Sequence, residues 1–168
     1  VLSCKVLGEE HPNTLTSLSN LASSYGGLGQ REKGCELNEK VYILRCKVLG
    51  EEHPDTLASL RNLAFSYGHL GQHEKSLELT EKAYALHCKV LGEEHLDILL
   101  LLRVLAITYG NLGQYEKAVE LNEKVYALSC KVLGEEHPDT LASLHSLAAS
   151  YGQLGKKEKS LELYEKTY

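Results

Sequence analysis

The sequence predicts an all-α solenoid in which antiparallel helix pairs stack side by side, and three observations lead to it. The string Val-Leu-Gly-Glu-Glu-His starts at Val6, Val48, Val90 and Val132, a constant spacing of 42 residues that divides the 168-residue chain into four units. Within a unit, apolar residues recur at three-and-four spacing, the period of a helix with one buried side. Glycines and a proline stand where such helices would end and begin. Residues 48–84 and 132–168 agree at 29 of 37 positions, which points to recent duplication. A repeat of this length encodes a hairpin that cannot cover its own apolar side, so neighbouring hairpins must build the core together. The expected layout is one domain over 1–168. Residues 1–5 end a preceding helix, repeats run over 6–47, 48–89, 90–131 and 132–168, and the last is cut short in its second helix.

The second repeat shows each element in order. Its first helix, A, is expected over 54–70, with Leu57, Leu60, Leu63, Ala64, Tyr67 and Leu70 on one side. Pro54 suits the first helical position, where its missing N–H has no intrahelical partner, and His53 before it is pushed toward the extended geometry of an N-cap. Gly68 and Gly71 are expected to end helix A, and Gln72 can begin the next. The second helix, B, is expected over 73–91 and closed by Gly92. Ser76, Leu79, Ala83, Leu86 and Val90 form one stripe, with Leu77, Tyr84, Cys88 and Leu91 beside it. So wide an apolar side needs two neighbours. Glu51 and Glu52 precede the next helix, whose dipole favours carboxylates at that end. The pairs Glu36/Lys40, Glu78/Lys82, Glu120/Lys124 and Glu162/Lys166 are placed four apart to support helicity, at about 0.2–0.5 kcal/mol each.

Composition narrows the function. The 23 acidic and 18 basic residues are interspersed and sum to −5, unlike the clustered basic face of a nucleic-acid binder. No apolar run approaches the roughly 18 residues of a membrane span. No signal peptide opens the chain and no Asn-x-Ser/Thr acceptor occurs, so a cytoplasmic setting is expected. The absence of methionine suggests a segment of something longer.

The residue types that carry chemistry have plainer readings. Cys4, Cys46, Cys88 and Cys130 recur once per repeat, with Cys35 extra. Equivalent positions on stacked helices lie roughly 8–10 Å apart, beyond the disulfide limit near 7 Å between Cα atoms. Reduced, partly buried thiols are therefore expected, with no disulfide. His11, His53, His95 and His137 sit beside acidic pairs, but one histidine per repeat cannot converge on a metal with the next. They read as caps, and no metal is expected. His69, His73, His87 and His145 are expected mostly at the surface. Gly152-Gln153-Leu154-Gly155-Lys156-Lys157 falls short of a phosphate loop in spacing, in the Ser or Thr after the lysine, and in a preceding strand. No activated nucleophile or buried carboxylate pair is present, so neither an enzyme nor a cofactor is expected.

The spacing Leu60-x-x-Leu63-Ala64-x-x-Tyr67, followed by Gly71, Ser76 and Ala83, resembles the tetratricopeptide repeat. The 42-residue period and Gly-Glu-Glu-His-Pro-Asp-Thr-Leu resemble its kinesin-light-chain subclass. Three departures stand out. Asn38, Thr80 and Asn122 replace the aromatic residue usual in helix B, which only Tyr164 keeps. Leu96 replaces the proline of the third repeat, ahead of an unusually apolar 98–104. Gly34 takes a small-residue position at a helix-propensity cost of about 1 kcal/mol.

The resemblance implies a right-handed superhelix whose A helices line a concave groove that holds a protein or an extended peptide. Carried over residue by residue, the groove comprises Ser19, Asn20, Ser23 and Gly27, then Arg61, Asn62, Phe65 and His69. The third repeat adds Arg103, Val104, Ile107 and Asn111, and the fourth His145, Ser146, Ala149 and Gln153. Asn20 and Asn62 match peptide-backbone clamps. Phe65 and Ile107, flanked by Arg61 and Arg103, suit a bulky side chain beside an acidic one, since aromatics and arginine anchor interfaces. Two other readings remain open. The chain could associate end to end, because no polar cap closes either terminal repeat, or it could be the sensing arm of a larger signalling protein.

Overall fold

The structure, a computed structural model, describes residues 6–167. Between Pro12 and Lys166 it contains eight helices: α1 (Pro12–Gly27), α2 (Arg31–Leu49), α3 (Pro54–His69), α4 (His73–Leu91), α5 (Leu96–Asn111), α6 (Tyr115–Leu133), α7 (Pro138–Gln153) and α8 (Lys157–Lys166). Odd-numbered helices are the A helices and even-numbered ones the B helices. There is no strand among the described residues. The helix expected over residues 1–5, with Cys4, lies outside them. Two compact units divide the chain, one up to Leu86 and one from His87, and the division falls within α4.

Each A helix starts as its local sequence dictates. His11, His53, His95 and His137 hold extended backbone, and their Nδ1 atoms accept the N–H two residues on, at 3.1–3.2 Å. His95 caps α5 although Leu96 replaces the proline, so the histidine alone sets the start. The A helices end in paired backbone bonds; in the second repeat Gly71 N donates to Gly68 O and Gln72 N to Tyr67 O. Gly71 supplies the left-handed residue of that turn, at φ +74°. Gly68, expected to end the helix, lies inside α3. There a Cβ would come within 3.2 Å of Ser76 Oγ, so its role is close packing of A against B.

That crossing is close in the first, second and fourth repeats. Ser76 Oγ donates to Ala64 O at 2.9 Å, and Ser160 Oγ repeats this with Ala148 O at 2.7 Å. In the first repeat the backbones come closer still: a Cβ on Gly34 would stand 2.9 Å from the carbonyl oxygen of Ala22. Glycine is therefore required there, and its propensity cost is offset by the approach it permits.

Within each unit, successive helices join along a seam. In the first unit Cys35 packs with Leu63 and Tyr67, flanked by Tyr42, Leu70 and Leu79. In the second, Val119 packs with Leu147 and Tyr151, flanked by Tyr126, Leu154 and Leu163. Lys75 donates to the Tyr67 hydroxyl at 2.7 Å and that hydroxyl donates to Glu39 at 3.4 Å; Lys159, Tyr151 and Glu123 repeat the relay. The missing aromatics are replaced by polar pairs across the seam. Asn38 donates to Ser66 Oγ at 2.8 Å and Asn122 to Ser150 Oγ at 2.6 Å.

The stripe read on helix B needs correction. Ser76 and Ala83 are buried as expected, but so are Thr80 and His87, whereas Val90 and Leu91 are exposed. His87, expected at the surface, is 2% exposed. It occupies the position of Arg45, which is also buried and donates to Asp55 O at 2.9 Å. The inward line is thus 76, 80, 83, 87, a helical period that runs through polar residues.

The lysine pairs also divide. Lys124 and Lys166 bind Glu120 and Glu162 four residues back. Lys40 and Lys82 instead reach Glu9 and Glu51 in the acidic turn of their own repeat, each at 3.0 Å. Lys47 with Glu10, and Lys131 with Glu94, fasten the same turn from the end of helix B. Hydrogen bonds to the Tyr42 hydroxyl and to Glu51 raise the pKa of Lys82. These pairs are exposed, so solvent screens them and each contributes little to stability.

Two variants and one labelling experiment check this packing. Thr14, Thr56 and Thr140 bury hydroxyls without a hydrogen-bond partner among the described residues, and the third repeat already carries Ile98 at that position. Thr56→Val should raise the unfolding free energy by about 1 kcal/mol in urea titrations. Gly34→Ala should lower it despite alanine's better propensity, because the nearest atom is backbone. Burial, and then the Glu39 charge, push the Cys35 thiol up. Cys35 should therefore be alkylated last in an iodoacetamide time course followed by mass spectrometry, after the more accessible Cys46, Cys88 and Cys130.

Candidate binding groove

The same close approach opens a groove of about 420 Å³ in the first unit. Ala22, Ser23, Gly26 and Gly27 of α1 form one wall, and no side chain there is large enough to fill the space. Arg31, Gly34 and Asn38 of α2 form the floor, and Asn62, Phe65, Ser66 and His69 of α3 the opposite wall.

The large side chains stand on one side only. Phe65 is 55% exposed, and its ring meets His69 edge to face with centroids 4.2 Å apart. Arg31 Nη1 donates to His69 O at 3.3 Å, satisfying a carbonyl of the last turn of α3 and closing one end of the groove. Asn38 is held by its bond to Ser66, whose hydroxyl also donates to Asn62 O at 2.9 Å. The lining holds an arginine and a histidine but no carboxylate, in a chain whose net charge is −5. Its chemistry is that of a cationic, amide-bearing cleft with one exposed aromatic ring.

Of the residues taken from the sequence, Asn62, Phe65 and His69 meet here, with Ser23 and Gly27. Asn20 is exposed and Arg61 half-buried, and neither is among the lining residues. Ala22, Gly26 and Ser66 of the A helices were missed, and so were Arg31, Gly34 and Asn38 of α2. Only A helices were carried over, although Gly34 and Asn38 already stood out as departures. In the second unit Ile107 and Asn111 are exposed on α5, with Arg103 half-buried beside them. His145 and Gln153 are exposed on α7; the His145 ring lies 4.8 Å from Tyr164, and Gln153 reaches toward Gly110. Position for position, Ile107 and Tyr115 stand where the first unit has Ser23 and Arg31, while Ala149 stands for Phe65. The bulky groups have changed walls. Among the described residues no group of histidine, cysteine and carboxylate side chains could hold a metal, and no helix is long and apolar enough to cross a membrane.

Comparison with known proteins gives the fold its family. The tetratricopeptide repeat profile matches residues 13–89, 55–131 and 111–168. A solved structure of kinesin-light-chain-like, nearly identical TPR-like repeats from Podosopora anserina is 40% identical, with a TM-score of 0.89 over 99% of this chain and 78% of that one. BtubC (BKLC) from P. vanneervenii shares the fold at 20% identity and a TM-score of 0.87, over 99% of this chain and 66% of its own. A Rap protein crystallised in complex with Competence and Sporulation Factor shares it at 16% identity and 0.77, over 98% and 44%. No curated protein matches the sequence. The fold class is the all-α TPR-like solenoid, a general scaffold for protein interaction. The chain belongs to the tetratricopeptide repeat family, in its kinesin-light-chain-like subclass with 42-residue repeats.

Proposed function

We propose that the chain is a non-catalytic, cytoplasmic scaffold that holds an extended peptide or protein segment against its A helices. One observation carries this reading. Residues 48–84 and 132–168 differ only at Arg61/His145, Asn62/Ser146, Phe65/Ala149, His69/Gln153, Gln72/Lys156, His73/Lys157, Thr80/Tyr164 and Ala83/Thr167. Asn62, Phe65 and His69 line the groove, and His73 and Thr80 occupy the positions of its floor residues Arg31 and Asn38. Two repeats that keep every A-helix cap and the leucines and tyrosine of the seam have changed mainly where a ligand would lie. Relaxed selection on exposed positions would scatter changes over the outer side of helix B as well, and between these repeats that side is nearly unchanged.

The groove suits a segment with a bulky apolar side chain against Phe65 and an acidic group toward Arg31 and His69. The Asn62 amide is placed to meet its backbone. Ile107 with Arg103 offers a comparable apolar and cationic pairing in the second unit, and Arg61 adds a cation at the rim of the first. Nothing in this chemistry recruits nucleic acid, since the chain as a whole is acidic.

A fluorescent library of short peptides, titrated against the wild type, Phe65→Ala and Arg31→Ala, tests the assignment. Peptides that pair an aromatic with an acidic residue should bind, and each variant should weaken them by about tenfold or more. Affinities unchanged in both variants would remove the groove from the reading.

A further inference from the structure

We propose that α5 carries a second docking face, which takes an amphipathic helix of a partner protein with a carboxylate beside its apolar ridge. The proposal rests on Ile107 and Arg103 as a binding pair and shares no residue with the groove between α1 and α3, so either can fail alone. Leu96, Leu100, Val104 and Ile107 are spaced by four, four and three residues, which gathers them on one arc of α5 over about 16 Å. Leu96 is 52% exposed, Leu100 48% and Ile107 64%, and Val104 is half-buried. Leu101, Leu102 and Leu105 lie on the opposite side of the helix and are buried, so the stripe is no part of the core.

This stripe belongs to the third repeat alone. The same positions read Pro12, Thr16, Asn20 and Ser23 in the first repeat, Pro54, Ala58, Asn62 and Phe65 in the second, and Pro138, Ala142, Ser146 and Ala149 in the fourth. α5 is an internal helix, with a repeat before it and a repeat after it, and the stripe is exposed all the same. What the stripe lacks selects its occupant. An extended peptide brings a backbone N–H and C=O with every residue, and burying them unpaired is costly. Where the second repeat offers the Asn62 amide to such a backbone, the third offers Val104. The amides of Asn111 and Gln153 stand at the far end of α5, where Gln153 Oε1 lies 3.7 Å from the place of a Cβ on Gly110. A helix satisfies its own backbone and presents apolar residues at i, i+3, i+4 and i+7, the spacing that interlocks with this stripe.

The neighbouring A helix of the unit leaves room for it. Ala142, Ser146 and Ala149 of α7 are small, so a helix can approach α7 closely while its large residues meet α5. Charge completes the match. Arg103 lies within the arc of the stripe, is half-buried, and makes no hydrogen bond or ion pair with any described residue. His145 holds the same position on α7 and is exposed. The one carboxylate of α5, Asp97, lies in the first turn, 3.6 Å from the capping His95. A ridge of leucines edged by a glutamate or aspartate therefore meets both the stripe and the arginine, whereas one edged by lysines sets like charges together.

Fluorescence anisotropy with a panel of designed peptides tests this. Peptides of about 18 residues carry leucines at i, i+3, i+4 and i+7 with a glutamate beside them. Each is made once with side-chain lactams that hold the helix and once with a central proline that breaks it. The lactam forms should bind the wild type about tenfold or more tighter than the proline forms. Leu100→Ala and Val104→Asn install the residues of the second repeat, and each should weaken the lactam forms by about tenfold or more. Arg103→Ala should weaken only the peptides that carry the glutamate. Leu100→Ala should leave the affinity of extended peptides for the Phe65 groove unchanged, which separates the two sites. Circular dichroism checks that helix content is kept, and Leu100→Thr, after Thr16, serves the same assay should alanine disturb folding. Equal binding of the two forms, no binding of either at about 1 mM, or affinities unchanged in both Leu100→Ala and Val104→Asn overturns the proposal. So does self-association of the wild type in sedimentation velocity that Leu100→Ala abolishes, because the occupant would then be a second copy.

Discussion

The fold rests on the seam where an A helix lays a leucine and a tyrosine against the B helix before it. Leu63 and Tyr67 are nearly fully buried by this contact in the first unit, as Leu147 and Tyr151 are in the second. A lone hairpin would leave these side chains in water, losing roughly 1.5–3 kcal/mol for each large one. The tyrosine is the better residue here because its ring supplies area while its hydroxyl ends in the Lys–Tyr–Glu relay at the edge of the seam. Burial and direction come from one residue, and the relay fixes which B helix the ring must meet.

The groove follows from how closely a hairpin is crossed. Glycine or serine at the crossing draws helix A onto helix B, and in the first repeat Gly34 brings the backbones into contact. That approach leaves nothing to fill the angle between α1 and α3. Small residues on α1 keep it open, and Arg31, spent on the last carbonyl of α3, keeps a cation at its end. The polar pair Asn38–Ser66 then does for the floor what an aromatic would have prevented, because a ring at position 38 would occupy the cleft.

Much of this was legible in one dimension. The histidine–proline starts, the left-handed glycines and the A-helix stripe through Leu57, Leu60, Leu63, Ala64 and Tyr67 depend on neighbours along the chain, and the structure places them as the spacing predicts. What escaped depends on neighbours across it. Gly68 looks like a helix stop until Ser76 is seen opposite. His87 looks like a surface residue until the stripe is followed by geometry instead of by hydrophobicity. Lys40 and Lys82 had two carboxylates within reach of a long side chain, and sequence distance favoured the one four residues away. Arg31 belongs to a B helix, and only A helices are expected to line the groove, so its reach into the groove carried no signal.

Seam and groove occupy different sides of the same A helix, which explains how the repeats could diverge without unfolding. Leu63, Ala64 and Tyr67 face inward, while Arg61, Asn62, Phe65 and His69 lie on the remaining arc three and four residues apart. A substitution on that arc changes exposed or half-exposed surface and leaves cap, crossing and seam untouched, so its stability cost is small. Phe65 can become Ala149, and Ser23 can become Ile107, with the core positions at 63, 105 and 147 all remaining leucine. The architecture thus separates what must stay constant for hairpins to stack from what is free to vary. Variation between duplicated repeats collects on the face that is free.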